Sequence, residues 1–460
     1  MFVPVTLMPG EKKTIKIKGK VKKAKYMFKS SKPSIAKVNK KGTVTAKKAG
    51  KAVITITEKK KAKKKIIGKV NVIVKNKKEV KGFSSFLNNQ IDFTLLITIL
   101  LLLSIGLIMV LSASAPSSLQ KYGNSYKFFE KQLIFAVAGV IAMWFISKID
   151  YRIYQRFYWL AYGVSILLLV AVLAFGSESH GAKRWIEITK SLSFQPSEIV
   201  KFLMIIFYAG ILVRNRETLG KYFKGLVFHV VLLAPVILLL LLEPHVSTSM
   251  VIIITCCIMM IMAGCKFWQF AATGLVGICA GGGIATVLYL ASEWFRNKFQ
   301  YIVTRFITFT DPWKDATDSG WQIIQSLYAI GSGGLFGAGL GESKQKYLYL
   351  SEPHNDFIFA VLAEELGFVG CLVVFLLFAI FIWRGVLIAM KAPDMFGSLV
   401  AIGITSLVGV QVIINIAVVT SSMPVTGMQL PFFSYGGTAL FLLLCEMGVL
   451  LSISRASSKQ

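Results

Sequence analysis

Acidic residues are scarce in this 460-residue chain, 22 Asp and Glu against 52 Lys and Arg, and histidine is scarcer still, with 4. The six cysteines (Cys256, Cys257, Cys265, Cys279, Cys371, Cys445) stand within or beside apolar runs, without C-x-x-C spacing or a matching set of histidines. A zinc cradle or a disulfide framework has nothing to build on, and these residues read as buried thiols. No G-K-[ST] follows the run G-S-G-G-L-F-G-A-G-L-G at 331–341 and no strand precedes it, which argues against a nucleotide cradle. Metal-protease and nucleophile-elbow signatures are missing too. No apolar h-region precedes the first strand-like run, so no secretory signal is expected.

What the chain has in excess is apolar surface. Hydrophobic residues make up 55 % and aromatics 12 %, with mean hydropathy +0.65, whereas soluble proteins run at about 45–50 % apolar. The chain therefore belongs in a membrane. Its net charge of +30 is unevenly placed: residues 1–81 hold 27 lysines against 3 glutamates, leaving the remainder only mildly basic. The total alone would suggest a nucleic-acid binder, but this distribution does not, and no nucleic acid is expected as partner. Within residues 1–81, runs such as TIKIKG, SIAKVN, GTVTAKKAG, AVITIT and VNVIVK predict six or seven short strands of an all-β sandwich with lysine facing outward. Two readings of this unit stand open: a solvated or fused module, or one that binds anionic headgroups or nucleic acid.

Residues 82–92 read as a linker, and from Phe93 onward long apolar runs predict an all-α polytopic membrane protein. A bilayer core needs about 20 helical residues. About ten spans fit: 93–113, 131–148, 157–175, 196–213, 224–242, 247–264, 267–291, 357–384, 396–419 and 431–453. Lys and Arg gather in the connections 148–156, 214–224 and 384–391 and in the tail, which places that side and both termini in the cytoplasm. The segment 176–194, the turns 243–247 and 420–431 and a large loop, 292–356, then face outward.

The polar, Gly-rich stretch from Arg305 to Asp356 is too long for an ordinary connection, since structureless loops beyond about 12–15 residues are uncommon. Its aromatics, among them Trp313, Trp321, Tyr328 and Tyr347, predict order, and its carboxylates are the candidates for acid or base work. Lys183 and Arg184 beside Trp185 suit either interfacial anchoring or a phosphate clamp. Glu198 and Lys201 follow Pro196 at i,i+3 on one helix face, as a structural pair or as working groups. Glu243 and His245 flank Pro244 at a helix end. His354, Asp356, Glu364 and Glu365 lead from the loop into the eighth span, where ionisable groups are costly and mark function.

Several motifs stand together: G-A-K-R-W-I at 181–186, F-Q-P-S-E-I-V-K at 194–201, D-P-W-K-D at 311–315, G-W-Q-I-I-Q-S at 320–326 and G-x-G-L-G-x-S-x-Q-K at 337–346. P-H-N-D-F-I-F-A-V-L-A-E-E-L-G at 353–367 and P-V-T-G-M-Q-L-P-F-F-S-Y-G-G-T at 424–438 complete the set. From about Asp92 to Arg455 the chain resembles the SEDS family (shape, elongation, division and sporulation), to which FtsW, RodA and SpoVE belong. Residues 1–81, with S-x-x-x-x-I-A-x-V followed by G-x-V-T-A-x-x-x-G-x-A-x-I-T, resemble the bacterial Ig-like group 2 (Big2) domain.

The first resemblance implies a ten-helix domain over 93–455 with both ends cytoplasmic. It implies a peptidoglycan glycosyltransferase that polymerises lipid II into glycan strands at the outer face of the membrane during division, elongation or sporulation. The family's essential carboxylate matches Asp315, the expected general base. Motif positions supply the substrate-binding candidates Lys183, Arg184, Trp185, Glu198, Lys201, Glu243, His245, Gln322, Gln325, Ser326, Lys346, His354, Asp356, Glu364, Ser434 and Tyr435. Two departures stand out: many relatives carry Q-P-D where this chain has Glu243, Pro244 and His245, and H-T-D-F where it has His354, Asn355, Asp356 and Phe357. The implied partners are a cognate class B penicillin-binding transpeptidase and other divisome or elongasome proteins. Charge on the departing pyrophosphate calls for cations, either Lys183, Arg184 and Lys201 or a divalent ion such as Mg2+. The competing readings are a lipid II flippase, which would use the same cavity without a base, and a non-catalytic component of a division complex.

Overall fold

The structure, a computed structural model, describes residues 5–7, 12–14, 25–39, 42–48, 50–60, 63–74, 91–179, 182–189, 192–243, 245–274, 289–290, 292–293, 308–315, 320–347 and 349–457. The chain divides into two compact units, Met1–Asn88 and Asn89–Gln460. The expected linker falls largely outside the described residues.

The first unit is a β-sandwich. One sheet has the order β1 (Val5–Leu7), β7 (Lys63–Val74), β6 (Gly50–Lys60), β3 (Lys25–Ser30), with β1 parallel to β7 and the other pairs antiparallel. The second has the order β2 (Lys12–Thr14), β5 (Thr43–Ala46), β4 (Ala36–Val38). Alternate residues of these strands point inward, so Ala36, Val44, Ala46, Ala52, Ile54, Ile56, Val70 and Val72 form one core contributed by both sheets.

The second unit is a helical membrane domain. Among the described residues, nine helices are long and apolar enough to span a bilayer. They are α1 (Phe93–Tyr122), α2 (Lys127–Ile146), α3 (Tyr158–Phe175), α4 (Pro196–Arg214), α5 (Phe228–Leu242, entered through a π-helical turn from Tyr222), α6 (Val246–Ala263), α8 (Ile358–Lys391), α9 (Met395–Val419) and α10 (Gly437–Ser457). The expected span 267–291 lies mostly outside the described residues, with only 267–274 seen as helix. The apolar windows of α4 and α9 are 72 % buried against 22 % for α2 and α3, so the former pair is central and the latter faces lipid. At the start of α1, the Asp92 side chain caps the Leu95 amide at 2.9 Å and pairs with Arg384 of α8.

Three stretches differ from the sequence reading. The segment 176–194 is an antiparallel sheet of β8 (Ser177–Ser179), β9 (Ala182–Thr189) and β10 (Leu192–Phe194), in keeping with the period-two alternation of A-K-R-W-I-E-I-T. The expected loop 292–356 contains the helix α7 (Trp321–Gly333), which buries Ile323, Ile324, Ser326, Ala329 and Gly333 along one face. The last span begins at Gly437 rather than at 431, because residues 431–436 form turns. There the Phe433 and Ser434 amides bond the Leu430 carbonyl, and the Gln132 side chain accepts from the Gly436 amide at 3.1 Å.

One joint holds α7 to the bundle. Helix α8 is interrupted at Gly367, whose φ of 66° and ψ of −167° suit glycine alone. The backbone groups at the break bond to the glycine loop that follows α7. Ala338 and Gly339 donate to the Glu364 and Glu365 carbonyls at 2.9 and 3.1 Å, and Phe368 and Val369 donate to the Gly334 and Leu335 carbonyls at 2.9 and 3.1 Å. A Cβ at Gly337 would lie 2.1 Å from the Glu365 carbonyl oxygen, so this close approach also demands glycine.

Candidate active site

A cavity of about 390 Å³ opens at the end of the bundle where α4, α6, α8 and α10 begin and α9 ends. Its wall includes Arg184 and Trp185 of β9, Gln195 and Glu198 at the start of α4, His245 and Thr248 at the start of α6, and Gln322 in the first turn of α7. Glu352, Asn355 and Asp356 from the approach to α8, with Gln411 of α9 and the turn carrying Val425 and Gln429, also line it. Unpaired amides and the helix dipole make each helix N-terminus a source of positive potential, and several are directed at this one space.

Two side pockets share Glu198 and Gln429 with the main cavity. One, of about 150 Å³, reaches Lys131, Trp185 and Tyr435. The other, of about 40 Å³, is a recess lined by Glu198, Lys201, Gln411, Ser434 and Glu446. Pro196 opens α4 as a first-turn proline can, and the i,i+3 spacing then brings Lys201 Nζ to 2.8 Å from Glu198 Oε2. Glu446 lies nine residues into α10, about 13 Å down the helix axis, and its Oε2 has no hydrogen-bond partner among the described residues.

The Glu243–His245 corner closes the α6 side. Glu243 is buried, its Oε1 has no hydrogen-bond partner among the described residues, and the Arg184 Nε lies 3.4 Å from its carbonyl oxygen. Burial pushes the Glu243 carboxyl up to about 8, with Arg184 opposing, so it is protonated near neutrality. His245 Nε2 lies 3.3 Å from the Gln195 amide nitrogen and 3.0 Å from the Thr248 hydroxyl. Because an amide nitrogen only donates, Nε2 accepts and the ring is neutral. Burial, helped by Arg184 and Lys201, lowers its pKa to about 3. The corner therefore adds no negative charge at neutral pH, which leaves the Arg184 side of the cavity electropositive.

The approach to α8 is pinned through its backbone. Tyr435 N donates to the His354 carbonyl at 2.8 Å, the Ser434 hydroxyl to the Asn355 carbonyl at 2.7 Å, and Asn415 Nδ2 to the Asp356 carbonyl at 2.9 Å. The His354 ring packs on Phe128 at 4.7 Å between centroids, and burial together with Lys121 lowers its pKa to about 4. Pinning the main chain leaves the Asp356 side chain to line the cavity.

Of the candidate residues, the structure thus gathers Arg184, Trp185, Glu198, Lys201, His245, Gln322, Asp356, Ser434 and Tyr435 around the cavity and its pockets, with Glu243 and His354 behind them. Four others are placed elsewhere. Gln325 is buried in α7, and the Ser326 hydroxyl donates to the Val419 carbonyl at 2.8 Å. Glu364 accepts from the Ser343 hydroxyl at 2.5 Å and from the Lys344 and Gln345 amides, and Lys346 pairs with Glu365. The side chains of Lys183 and Asp315 lie outside the described residues. The backbone of Asp315 ends a 3-10 turn, Pro312–Asp315, whose Trp313 ring meets Tyr328 of α7 edge-on at 6.2 Å. That contact ties the turn to the helix carrying Gln322. Among the described residues no group of three or more His, Cys, Asp or Glu side chains converges as a metal cage.

Residues 93–459 match the FtsW/RodA/SpoVE cell cycle protein family, which covers most of the chain. The chain belongs to this family. Residues 5–80 match the bacterial Ig-like domain (group 2). Among curated relatives, stage V sporulation protein E of Bacillus subtilis is 44 % identical over 368 residues, covering 80 % of this chain and 97 % of the relative. A probable peptidoglycan glycosyltransferase FtsW from a Geobacter species is 36 % identical over 367 residues, covering 79 % of this chain and 96 % of the relative. Among solved structures, a chain from a study of polymerization and crosslinking by a peptidoglycan synthase complex superposes with a TM-score of 0.65 at 25 % identity, covering 80 % of this chain and 99 % of its own. Thermus thermophilus RodA shares the fold, with a TM-score of 0.57 at 24 % identity, covering 80 % of this chain and 98 % of its own.

In this FtsW/RodA/SpoVE family member, sequence reasoning passed over Gln195, Glu352, Gln411, Gln429 and Glu446, all of which line the cavity or its recess. For Gln411 and Glu446 a signal was present: a polar or charged residue inside an apolar span is a functional candidate by default. Gln429 and Glu352 lie in turns, and only folding reveals which way a turn faces.

Proposed function

We propose that this chain is a peptidoglycan glycosyltransferase that polymerises lipid II into glycan strands. The observation that carries the reading is the cavity itself, a polar chamber at one end of a membrane bundle, ringed by helix N-termini with Arg184 and Lys201 in or beside its wall. Such a site suits a ligand that is anionic at one point, rich in hydroxyl and amide groups elsewhere, and attached to a lipid tail. An undecaprenyl-pyrophosphate-linked disaccharide has all three properties, and one relative is named a probable peptidoglycan glycosyltransferase.

In the proposed reaction the 4-hydroxyl of GlcNAc on one lipid-linked disaccharide attacks the anomeric carbon of MurNAc on another. Asp315 takes the hydroxyl proton as the new C–O bond forms, and the bond from the anomeric carbon to the pyrophosphate oxygen breaks. Arg184, Lys183 and Lys201, with the helix N-termini, stabilise the charge gathering on the departing undecaprenyl pyrophosphate. Glu198 holds Lys201 in place through its 2.8 Å contact. The amides of Gln195, Gln322, Gln411 and Gln429 offer donors and acceptors for sugar hydroxyls.

By the charge of the connecting loops, this end of the bundle faces outward and both termini are cytoplasmic. A class B penicillin-binding transpeptidase is the proposed partner, supported by the likeness to a chain from a peptidoglycan synthase complex. The test is incubation of the purified protein with labelled lipid II, with and without that transpeptidase. Glycan strands are expected, and leaflet exchange of lipid II without strand formation would replace this reading with a flippase.

A further inference from the structure

The glycine loop 334–341 carries apolar side chains that are left exposed among the described residues. Leu335 is 65 % exposed, Phe336 80 % and Leu340 56 %. Yet the loop is firmly held. Its backbone bonds both sides of the break in α8, and just beyond it the buried Lys346 side chain reaches Glu365, Ser112 of α1 and the Gly341 carbonyl. A rigid mount for exposed apolar residues is unusual on a soluble face.

Its depth can be read from α8. Arg384, paired with Asp92 at the N-cap just before the first span, marks one membrane boundary. Gly367 lies 17 residues earlier, or about 25 Å along a helix rising about 1.5 Å per residue. A hydrocarbon core of about 30 Å then puts the break, and the loop bonded to it, within or at the opposite boundary of the apolar layer. The residues on the α8 side of the joint, Phe368 and Val369, are themselves exposed and continue into Leu372, Val373 and Leu376, an exposed apolar stripe along the span. Leu335 is bonded to Val369 directly, so the tip extends that stripe.

We propose that the glycine loop is a lipid-inserting anchor: Leu335, Phe336 and Leu340 sit among acyl chains at the membrane boundary opposite Arg384. This makes α7 a strut of about 17 Å from Gln322 to Gly333, fixed at one end in lipid and at the other in the cavity wall. The Pro312–Asp315 turn rides on it through the contact of Trp313 with Tyr328. The chemical class of the ligand is a phospholipid acyl layer. The inference stands whatever reaction the cavity performs.

The test uses the full chain in liposomes of phosphatidylethanolamine and phosphatidylglycerol, with a nitroxide on Phe336→Cys and, separately, on Leu340→Cys. The spectrum of the labelled unsubstituted protein is subtracted for the native cysteines. Both sites are exposed, so folding is not at issue. Collisions with dissolved oxygen should exceed those with a water-soluble nickel chelate, as for a reference label at Leu376→Cys and opposite to one at Lys344→Cys. Nickel accessibility like that of the Lys344 site would overturn the proposal, because the loop would then stand in water. Protection from both relaxants would overturn it too, because a protein surface, a second copy or a partner, would then be the cover. Enzymatic activity does not enter the readout, so its failure and that of the glycosyltransferase reading are separable.

Discussion

Lys346 Nζ lies 2.9 Å from Glu365 Oε1, and the two side chains are 4 % and 0 % exposed. Such a pair is held by mutual attraction in a region of low dielectric, so removing one partner strands the other. Lys346→Met is expected to destabilise the protein by about 3–5 kcal/mol, whereas Lys346→Met combined with Glu365→Leu loses far less, because no charge is left buried alone. Thermal unfolding in detergent measures both. A double variant as unstable as the single one would show that the attraction is not what holds the joint.

The recess beside α4 behaves in a related way. Lys201→Met leaves the Glu198 and Glu446 carboxyls facing one small space without a cation, and a loss of about 3 kcal/mol or more is expected. Glu446→Gln keeps the shape and removes the need to hold a carboxylate in the span, so it should be neutral or stabilising. Melting temperatures in the opposite order would mean that Glu446, not Glu198, is the main counter-charge of Lys201.

Glu243 gives a pH dependence with a definite sign. Its folded-state pKa of about 8 lies above the ordinary carboxyl value of 4.5, so between these values the folded protein holds a proton that the unfolded chain has released. Stability from this group is complete below pH 4.5 and is lost as pH rises through 8. His245, lowered from 6.5 to about 3, acts oppositely between pH 3 and 6.5, where the unfolded chain binds the extra proton. The two slopes oppose one another between pH 4.5 and 6.5, leaving a net decline between pH 6.5 and 8. Glu243→Gln should flatten the melting temperature over that window; an unchanged slope would move the titrating group elsewhere.

Asp315→Asn should insert normally and still bind lipid II while polymerising about 100-fold to 10,000-fold more slowly, the usual contribution of a general base. Asp318→Asn shares the region and the charge change but not the motif position, and should retain most activity. Near-normal strand synthesis by Asp315→Asn would pass the base to Asp356, which lines the cavity.

Orientation is checked by an impermeant thiol reagent on intact cells, with the unsubstituted protein as background. A cysteine at Lys344, exposed beyond the glycine loop, should be labelled, and one at Ser458 should not. The reverse pattern would invert the bundle and place the cavity in the cytoplasm.

The sequence by itself determined what depends on local chemistry. Apolar runs of span length, lysine-rich alternation in the first unit, the Pro196 helix start and the Glu198–Lys201 spacing were legible because burial periodicity and i,i+3 geometry are properties of a single segment. The motifs marked which loops matter. Tertiary structure alone decided which polar residues share a space. Lys346 and Glu364 carry the same kind of signal as Lys201 and Asp356, yet Glu364 and Lys346 are taken up in holding residues 341–346 to α8, while Asp356 lines the cavity and Lys201 its recess. Gln411 and Glu446, separated by 35 positions in two apolar spans, meet in one recess only because α9 and α10 pack beside α4. The direction of a side chain is fixed by the crossing of helices distant in sequence, and no local pattern encodes that crossing.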